Sequence, residues 1–171
     1  MTELSGKEVP LVSFVVIAYN VEAYIQRCLR SVLAQVGASF EVVVVDDAST
    51  DATRERINEV AARDSRVRVV AKERNEGAHL ARRTGAAHTR GRFVYFIDGD
   101  DELSLHALAL MRGIVTSRQA EIYRLGCRVV SCGEESEASS VLVERALNRE
   151  TGHVRDEEIL LRAFGGLSGV R

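Results

Sequence analysis

Val42-Val43-Val44-Val45-Asp46-Asp47 and Phe93-Val94-Tyr95-Phe96-Ile97-Asp98-Gly99-Asp100-Asp101 are two apolar runs that each end in a cluster of acids. A carboxylate is costly to bury without a partner, so acids placed where an apolar strand emerges mark a functional rim and not a core. Hard divalent cations take oxygen ligands and neutralise phosphate charge. A diphosphate carrying Mg²⁺ or Mn²⁺ is therefore the natural occupant of such a rim. The chemistry read from these two stretches is phosphate-linked.

Outward from the two runs, the chain alternates between strand-like and helix-like segments. Leu11–Ala18 is apolar and rich in β-branched residues, too short for a typical helix and suited to a covered parallel strand. Tyr24, Ile25, Cys28, Leu29, Val32 and Leu33 then recur at three- and four-residue spacing, one face of a helix whose first amides Asn20 or a near neighbour can satisfy. Phe40–Val45 returns to strand composition. Ser49-Thr50-Asp51 supplies helix-starting side chains, and Ile57, Val60 and Ala61 continue the apolar stripe. Val67–Val70 is a third strand. Leu80, Ala81, Thr84 and Ala87 form the next helix after Gly77, despite the local penalty of Gly85, and Phe93–Ile97 is the fourth strand.

This βαβαβαβ order predicts an α/β domain of three layers with a mainly parallel central sheet, helical crossovers covering both faces. Leu105, Leu108, Ala109, Arg112 and Val115 predict one more amphipathic helix, with the Arg112 stem lying over apolar surface. Glu121–Val130 permits one strand or a broken pair, Ser131–Ser140 is turn-like, Val141–Ala146 is an ambiguous apolar segment, and Asp156–Phe164 reads as helical. The glycine-rich ending from Phe164 to Arg171 reads as a chain interrupted before its next element, or as a flexible terminus.

The 171 residues accommodate one domain with a substantial core. With a net charge of -2 and 28% charged residues, neither a polybasic nucleic-acid surface nor an acidic disordered tail dominates the composition, and charge points to no partner. Cys28, Cys127 and Cys132 lack paired zinc-site spacing and read as buried or incidental thiols in an intracellular setting. No basic segment precedes a long apolar core at the start, and no run of membrane-spanning length occurs. The expected location is cytoplasmic, including a peripheral position at the inner membrane face for a longer protein.

Four segments, in order and spacing, carry a specific resemblance. They are Val12 to Asn20, Val45-Asp46-Asp47-Ala48-Ser49-Thr50-Asp51, Asn75-Glu76-Gly77 with Ala81-Arg82, and Gly91 to Asp101. Together they resemble the inverting family 2 glycosyltransferases of the GT-A fold over roughly the first two thirds of the chain. The resemblance implies transfer of a sugar from a nucleotide-sugar donor, most often UDP-linked, with inversion at the anomeric carbon. It divides the chain into an N-terminal tail (1–10), a donor-binding core (11–130) and a partial extension toward the acceptor region (131–171).

On the same grounds Ala18, Tyr19 and Asn20 would lie beside the nucleotide, Asp47 would recognise the base edge, and Asp46 would shape that pocket. A carboxylate accepts the uracil imide proton, which gives discrimination by geometry. Asp98 would sit near the ribose or the metal, and Asp100 would be the principal protein ligand of Mn²⁺ or Mg²⁺. Asp101 is a weaker ligand candidate that could instead orient water or Arg82. Gly99 keeps a side chain away from the diphosphate, and Arg82 would contact donor phosphate or hold the acidic motif.

Plainer readings stand beside these. Asp46 and Asp47 can form an acidic turn capping the helix near Ser49, Asp98 to Asp101 a surface turn, and Arg82 a solvated cation. His79 reads as a surface or packed helix histidine. The general base is unassigned: the family carries it and much of the acceptor site beyond this region, and Asp156, Glu157 and Glu158 read as charges at a helix start. The acceptor, saccharide, lipid-linked or protein, is open. The alternatives are a nucleotide-binding or protein-interaction module without turnover, and less so a nucleotidyltransferase, for which no glycine-rich basic loop follows the first strand.

Overall fold

The computed structural model describes residues 9–117. Strands and helices alternate as β1 (Val12–Ala18), α1 (Ile25–Leu33), β2 (Phe40–Asp46), α2 (Thr53–Ala61), β3 (Val67–Ala71), α3 (Ala78–Ala87), β4 (Phe93–Asp98) and α4 (Ala107–Ser117). The readings over Glu121–Val130, Ser131–Ser140, Val141–Ala146 and Asp156–Phe164, the boundary at 130/131, and the roles weighed for Cys127, Cys132, Asp156, Glu157 and Glu158 lie outside the described residues.

The sheet order is β3-β2-β1-β4, and every pairing is parallel. From β1 the chain steps outward to β2 and then β3, and afterwards crosses back over β1 to β4. Right-handed crossovers running in opposite directions put their helices on opposite faces, so α1 and α2 share one face and α3 takes the other. The expected three-layer α/β fold with a parallel sheet is the one observed. Its strand order reverses beside β1, and in open α/β sheets the carboxyl ends of the strands at such a reversal are where ligands bind.

β1 and β2 are the central strands among the described residues, and all of their residues are buried. Val15, Ile17, Val43 and Val45 form one face, against Ala81 of α3, with Val70 and Phe96 at the margin. Gly85 lets α3 come this close, because a β-carbon there would stand 2.2 Å from Val15 Cγ1. The position that looked like a helix weakness is a packing requirement. On the alternate positions Phe14 packs edge-on against Phe40 and Tyr95. The expected stripe of α1 is buried at Ile25, Cys28, Leu29 and Val32.

Two expectations differ from the structure. β4 is mostly half-buried, with Val94 38% exposed, because it is an outer strand among the described residues. In α4 the inward stripe is Ala107, Leu108 and Met111, while Leu105, Ala109 and Arg112 are exposed. Gln35, buried just past α1, sets that rotation: its Oε1 accepts from Leu108 N at 3.0 Å and its Nε2 donates to Ser104 O at 2.8 Å. Arg112 donates to Gly37 O at 2.7 Å.

At the opposite end of the sheet from the acid clusters, a polar knot ties the strand starts together. Ser13 and Glu41 are register partners, and Ser13 Oγ donates to Glu41 Oε1 at 2.7 Å. Arg90 adds its backbone N–H, and Nε and a terminal nitrogen at 3.0 and 2.8 Å, to the same carboxylate. Gly91 N donates to Ser13 Oγ at 2.8 Å. A buried carboxylate with this many donors is satisfied, so it locks the register without an unpaired charge.

Candidate functional site

Strand alternation distributes the acids. Ala18 pairs with Asp46, whereas Ile17, one residue earlier, pairs with Asp98. Neighbouring positions along a strand point to opposite faces, so Asp46 and Asp98 leave the sheet on opposite sides. The contacts agree. Asp46 Oδ2 accepts from Arg54 Nε of α2 at 2.5 Å, and Asp98 Oδ1 accepts from a terminal nitrogen of Arg82 of α3. Asp47, one step beyond β2, turns to the α3 side. Asp47 and Asp98 therefore share a face and flank the end of β1.

Asp47 is 2% exposed, and three donors converge on its carboxylate. Lys72 Nζ lies 2.8 Å from Oδ1, Gly77 N donates to Oδ2 at 2.8 Å, and Glu76 N reaches both oxygens at 3.2 Å. Burial pushes the Asp47 carboxyl up, but the Lys72 amine and the two N–H groups outweigh it and hold it below the usual carboxylate range. Lys72 also meets Glu76 Oε2 at 2.7 Å. Asp47 thus sits against the amides that open α3, a favourable place for an anion. Lys72 did not stand out in the sequence, because an isolated Lys in a polar loop carries no periodic signal, and Glu76 entered only as part of the Asn75-Glu76-Gly77 segment, with no role assigned.

The acidic turn after β4 is built by backbone contacts. Gly99 N donates to Ile17 O at 2.8 Å and Asp101 N to Asp98 O at 2.9 Å. Gly99 is buried, and a β-carbon on it would stand 2.9 Å from Ile17 O and 3.1 Å from Val21 Cγ2. Close approach to the end of β1 is what requires glycine here. Asp100 and Asp101 are exposed. Although the residue is exposed, partial desolvation of its carboxyl within the turn, followed by the charges of Asp100 and Asp98, raises Asp101 above its usual range. Behind the turn, burial and the surrounding acids push the Cys28 thiol up to about 12, which leaves it an inert packing group.

A hard divalent cation fits this donor set. Among the described residues no three His, Cys, Asp or Glu side chains come together as a metal cage. A cation on a diphosphate needs only one or two carboxylates, with phosphate oxygens and water completing the shell. Asp98 and Asp100 are the residues that would hold it. Arg82 already holds Asp98, one of the two roles expected for it. His79 is exposed on the first turn of α3.

The end of β1 behaves differently from one expectation. Ala18 is buried and Tyr19 is 43% exposed at the rim. Asn20 does not cap α1, whose first residue follows Tyr24 with no side-chain cap. At φ 51 it faces the β2–α2 loop instead, where its Oδ1 accepts from Thr50 N at 2.8 Å and its N donates to Ser49 Oγ at 3.1 Å. Val21 N donates to the buried Thr53 Oγ1 at 2.8 Å, and Ala52 N donates to Glu22 Oε2 at 2.8 Å. The two loops are stitched into one rim. Asp46 Oδ1 accepts from Ser49 N at 3.1 Å, so it supports the turn before α2 as well as Arg54.

Residues 13–164 match glycosyl transferase family 2. The chain is 31% identical over 160 residues to the uncharacterized glycosyltransferase EpsJ of Bacillus subtilis (strain 168), covering 89% of this chain and 46% of that protein. It is 48% identical over 94 residues to the succinoglycan biosynthesis protein ExoO of Rhizobium meliloti (strain 1021), covering 55% of this chain and 26% of that one. Among solved structures, S. aureus TarS 1-349 in complex with UDP-GlcNAc aligns with a TM-score of 0.58 at 34% identity, over 62% of this chain and 31% of that one. The mannosyltransferase PcManGT from Pyrobaculum calidifontis, in complex with GDP-Man and Mn²⁺, aligns with a TM-score of 0.56 at 27% identity, over 63% and 32%. The chain spans less than half the length of each of these relatives.

Proposed function

The chain belongs to glycosyl transferase family 2, and from that premise we propose that it forms the donor site of a glycosyltransferase that moves a sugar from a UDP-linked donor to an acceptor hydroxyl with inversion. The observation that carries the reading is the common face of Asp47 and Asp98 on either side of the β1 end. One acid for the base and one for the diphosphate side then border a single crevice at the strand carboxyl ends.

In this reading Asp47 accepts the imide N–H of the base, while Asp46, turned to the opposite face and held by Arg54 and Ser49 N, supports the pocket only by fixing the end of β2 from which Asp47 projects. Ala18, Tyr19 and Asn20 border the nucleotide, and Gly99 keeps the wall beside β1 thin. Arg82 orients Asp98, and Asp98 and Asp100 hold the cation. Bound Mn²⁺ or Mg²⁺ supplies charge neutralisation for the departing nucleoside diphosphate. The base that activates the acceptor hydroxyl, and the saccharide, lipid-linked or protein acceptor itself, are left unassigned. The choice of UDP is supported by TarS, described in complex with UDP-GlcNAc, while PcManGT, described with GDP-Man and Mn²⁺, supports the cation.

Calorimetry of the 171-residue chain against UDP, GDP and CDP, with and without Mn²⁺, tests the reading. Binding of UDP that strengthens with Mn²⁺ is expected, and Asp100→Asn should remove most of the Mn²⁺ dependence while leaving the circular dichroism spectrum unchanged. No binding across the panel would sink the donor-site assignment. Release of sugar from UDP-sugars separates turnover from a module that only binds nucleotide.

A further inference from the structure

We propose that Lys72 and Glu76 are positioning residues that hold the Asp47 carboxylate as an acceptor-only group and thereby set the base preference of the donor site. The proposal rests on the donor-site reading above and extends it to two residues of the β3–α3 loop.

Lys72 is unusually well placed for this. It is the first residue past β3, its backbone N donates to Asp46 O at 2.9 Å, and its own carbonyl accepts from an Arg54 terminal nitrogen at 3.1 Å. Both sides of its peptide are thus tied to the β2 end and to α2. Its side chain is 9% exposed, and the amine bridges Asp47 and Glu76 at 2.8 and 2.7 Å. Glu76 acts twice, by its N–H on Asp47 and by its carboxylate on the amine.

A carboxylate this deeply buried would be driven toward its neutral form without a cation. Held ionised, it can only accept. It offers about four lone-pair positions, and the Gly77 N–H, the Glu76 N–H shared between both oxygens and the Lys72 amine take most of them, so it has room for a ligand N–H and none for a second acceptor. Uracil presents a ring N–H at that edge. Cytosine presents a ring-nitrogen lone pair, which an ionised carboxylate repels and a protonated one can serve as donor. Specificity then comes from the mismatched group as much as from the matched one. Removing Lys72 weakens both the ionisation and the fixed geometry on which the distinction depends.

The test is titration of UDP and CDP, with Mn²⁺, into the 171-residue chain and its Lys72→Met, Lys72→Arg and Glu76→Gln variants. UDP should bind more tightly than CDP to the parent chain. Lys72→Met should lower the UDP:CDP affinity ratio by about tenfold, the scale of one charge-assisted hydrogen bond. Lys72→Arg should restore most of that ratio, and Glu76→Gln should lower it by a smaller factor. A folded Lys72→Met chain whose two affinities fall in parallel, or stay put, overturns the proposal, since a purely structural role would give either result. Should Lys72→Met not fold, an unchanged ratio in Glu76→Gln overturns it. A parent chain that binds both nucleotides equally also overturns it, and one that binds neither removes the donor-site reading itself.

Discussion

Gly77 stands at φ 86 and ψ 160, in a region of backbone space that only glycine occupies without strain. A β-carbon there would meet nothing within 4 Å, so the conformation alone demands glycine. That conformation aims Gly77 N at Asp47 Oδ2. Gly77→Ala should therefore cost about 1–3 kcal/mol in a urea titration. If the nucleotide reading holds, it should also weaken UDP binding by moving the amide away from Asp47. An alanine variant with unchanged stability would mean that the loop relaxes freely and is not a fixed part of the site. Gly99 differs: its φ is not positive, and the carbonyl of Ile17 is what excludes a side chain.

Among the elements, α3 carries the most information about how the site is held. It brings Arg82 to Asp98 and its opening amides to Asp47, and it reaches the sheet only because residue 85 has no side chain. Gly85→Ala offers a direct contest between two effects. Intrinsic helix propensity favours alanine by about 1 kcal/mol. The clash with Val15 and Val45 opposes it, and overpacking of this kind costs about 1–3 kcal/mol. The clash should win, lowering the melting temperature, and Val15→Ala should recover part of the loss in the double variant. A more stable Gly85→Ala chain would show that the helix can lift from the sheet at little cost. α4 teaches the converse, because its rotation follows from Gln35 and not from its own apolar pattern.

Across the described residues, the two ends of the sheet differ in their chemistry: Asp46, Asp47 and Asp98 gather at the strand carboxyl ends, and the Glu41 knot clamps the strand starts. Burial pushes the Glu41 carboxyl up, but the Ser13 hydroxyl and the Arg90 N–H and guanidinium groups outweigh it and lower its pKa below the ordinary 4.5. A carboxyl depressed on folding contributes stability that is present above its unfolded pKa and is lost as pH falls through the lower folded value. The chain should therefore lose stability as pH drops below about 4.5, and Glu41→Gln should flatten that slope while costing about 2 kcal/mol at neutral pH. Equal acid sensitivity in the two proteins, read from denaturation midpoints, would remove Glu41 as the cause. Local sequence determined the alternation of strands and helices and the acid clusters at two strand ends, because period-2 and period-3.6 burial and chain-end chemistry are local properties. It could not determine that Asp46 and Asp98 leave by opposite faces, which depends on the register of two strands with β1 between them. Nor could it show that Lys72 and Glu76 meet Asp47 or that Ser13, Glu41 and Arg90 share one knot. Those contacts join residues far apart in the chain, and only the order of the strands brings them within hydrogen-bonding distance.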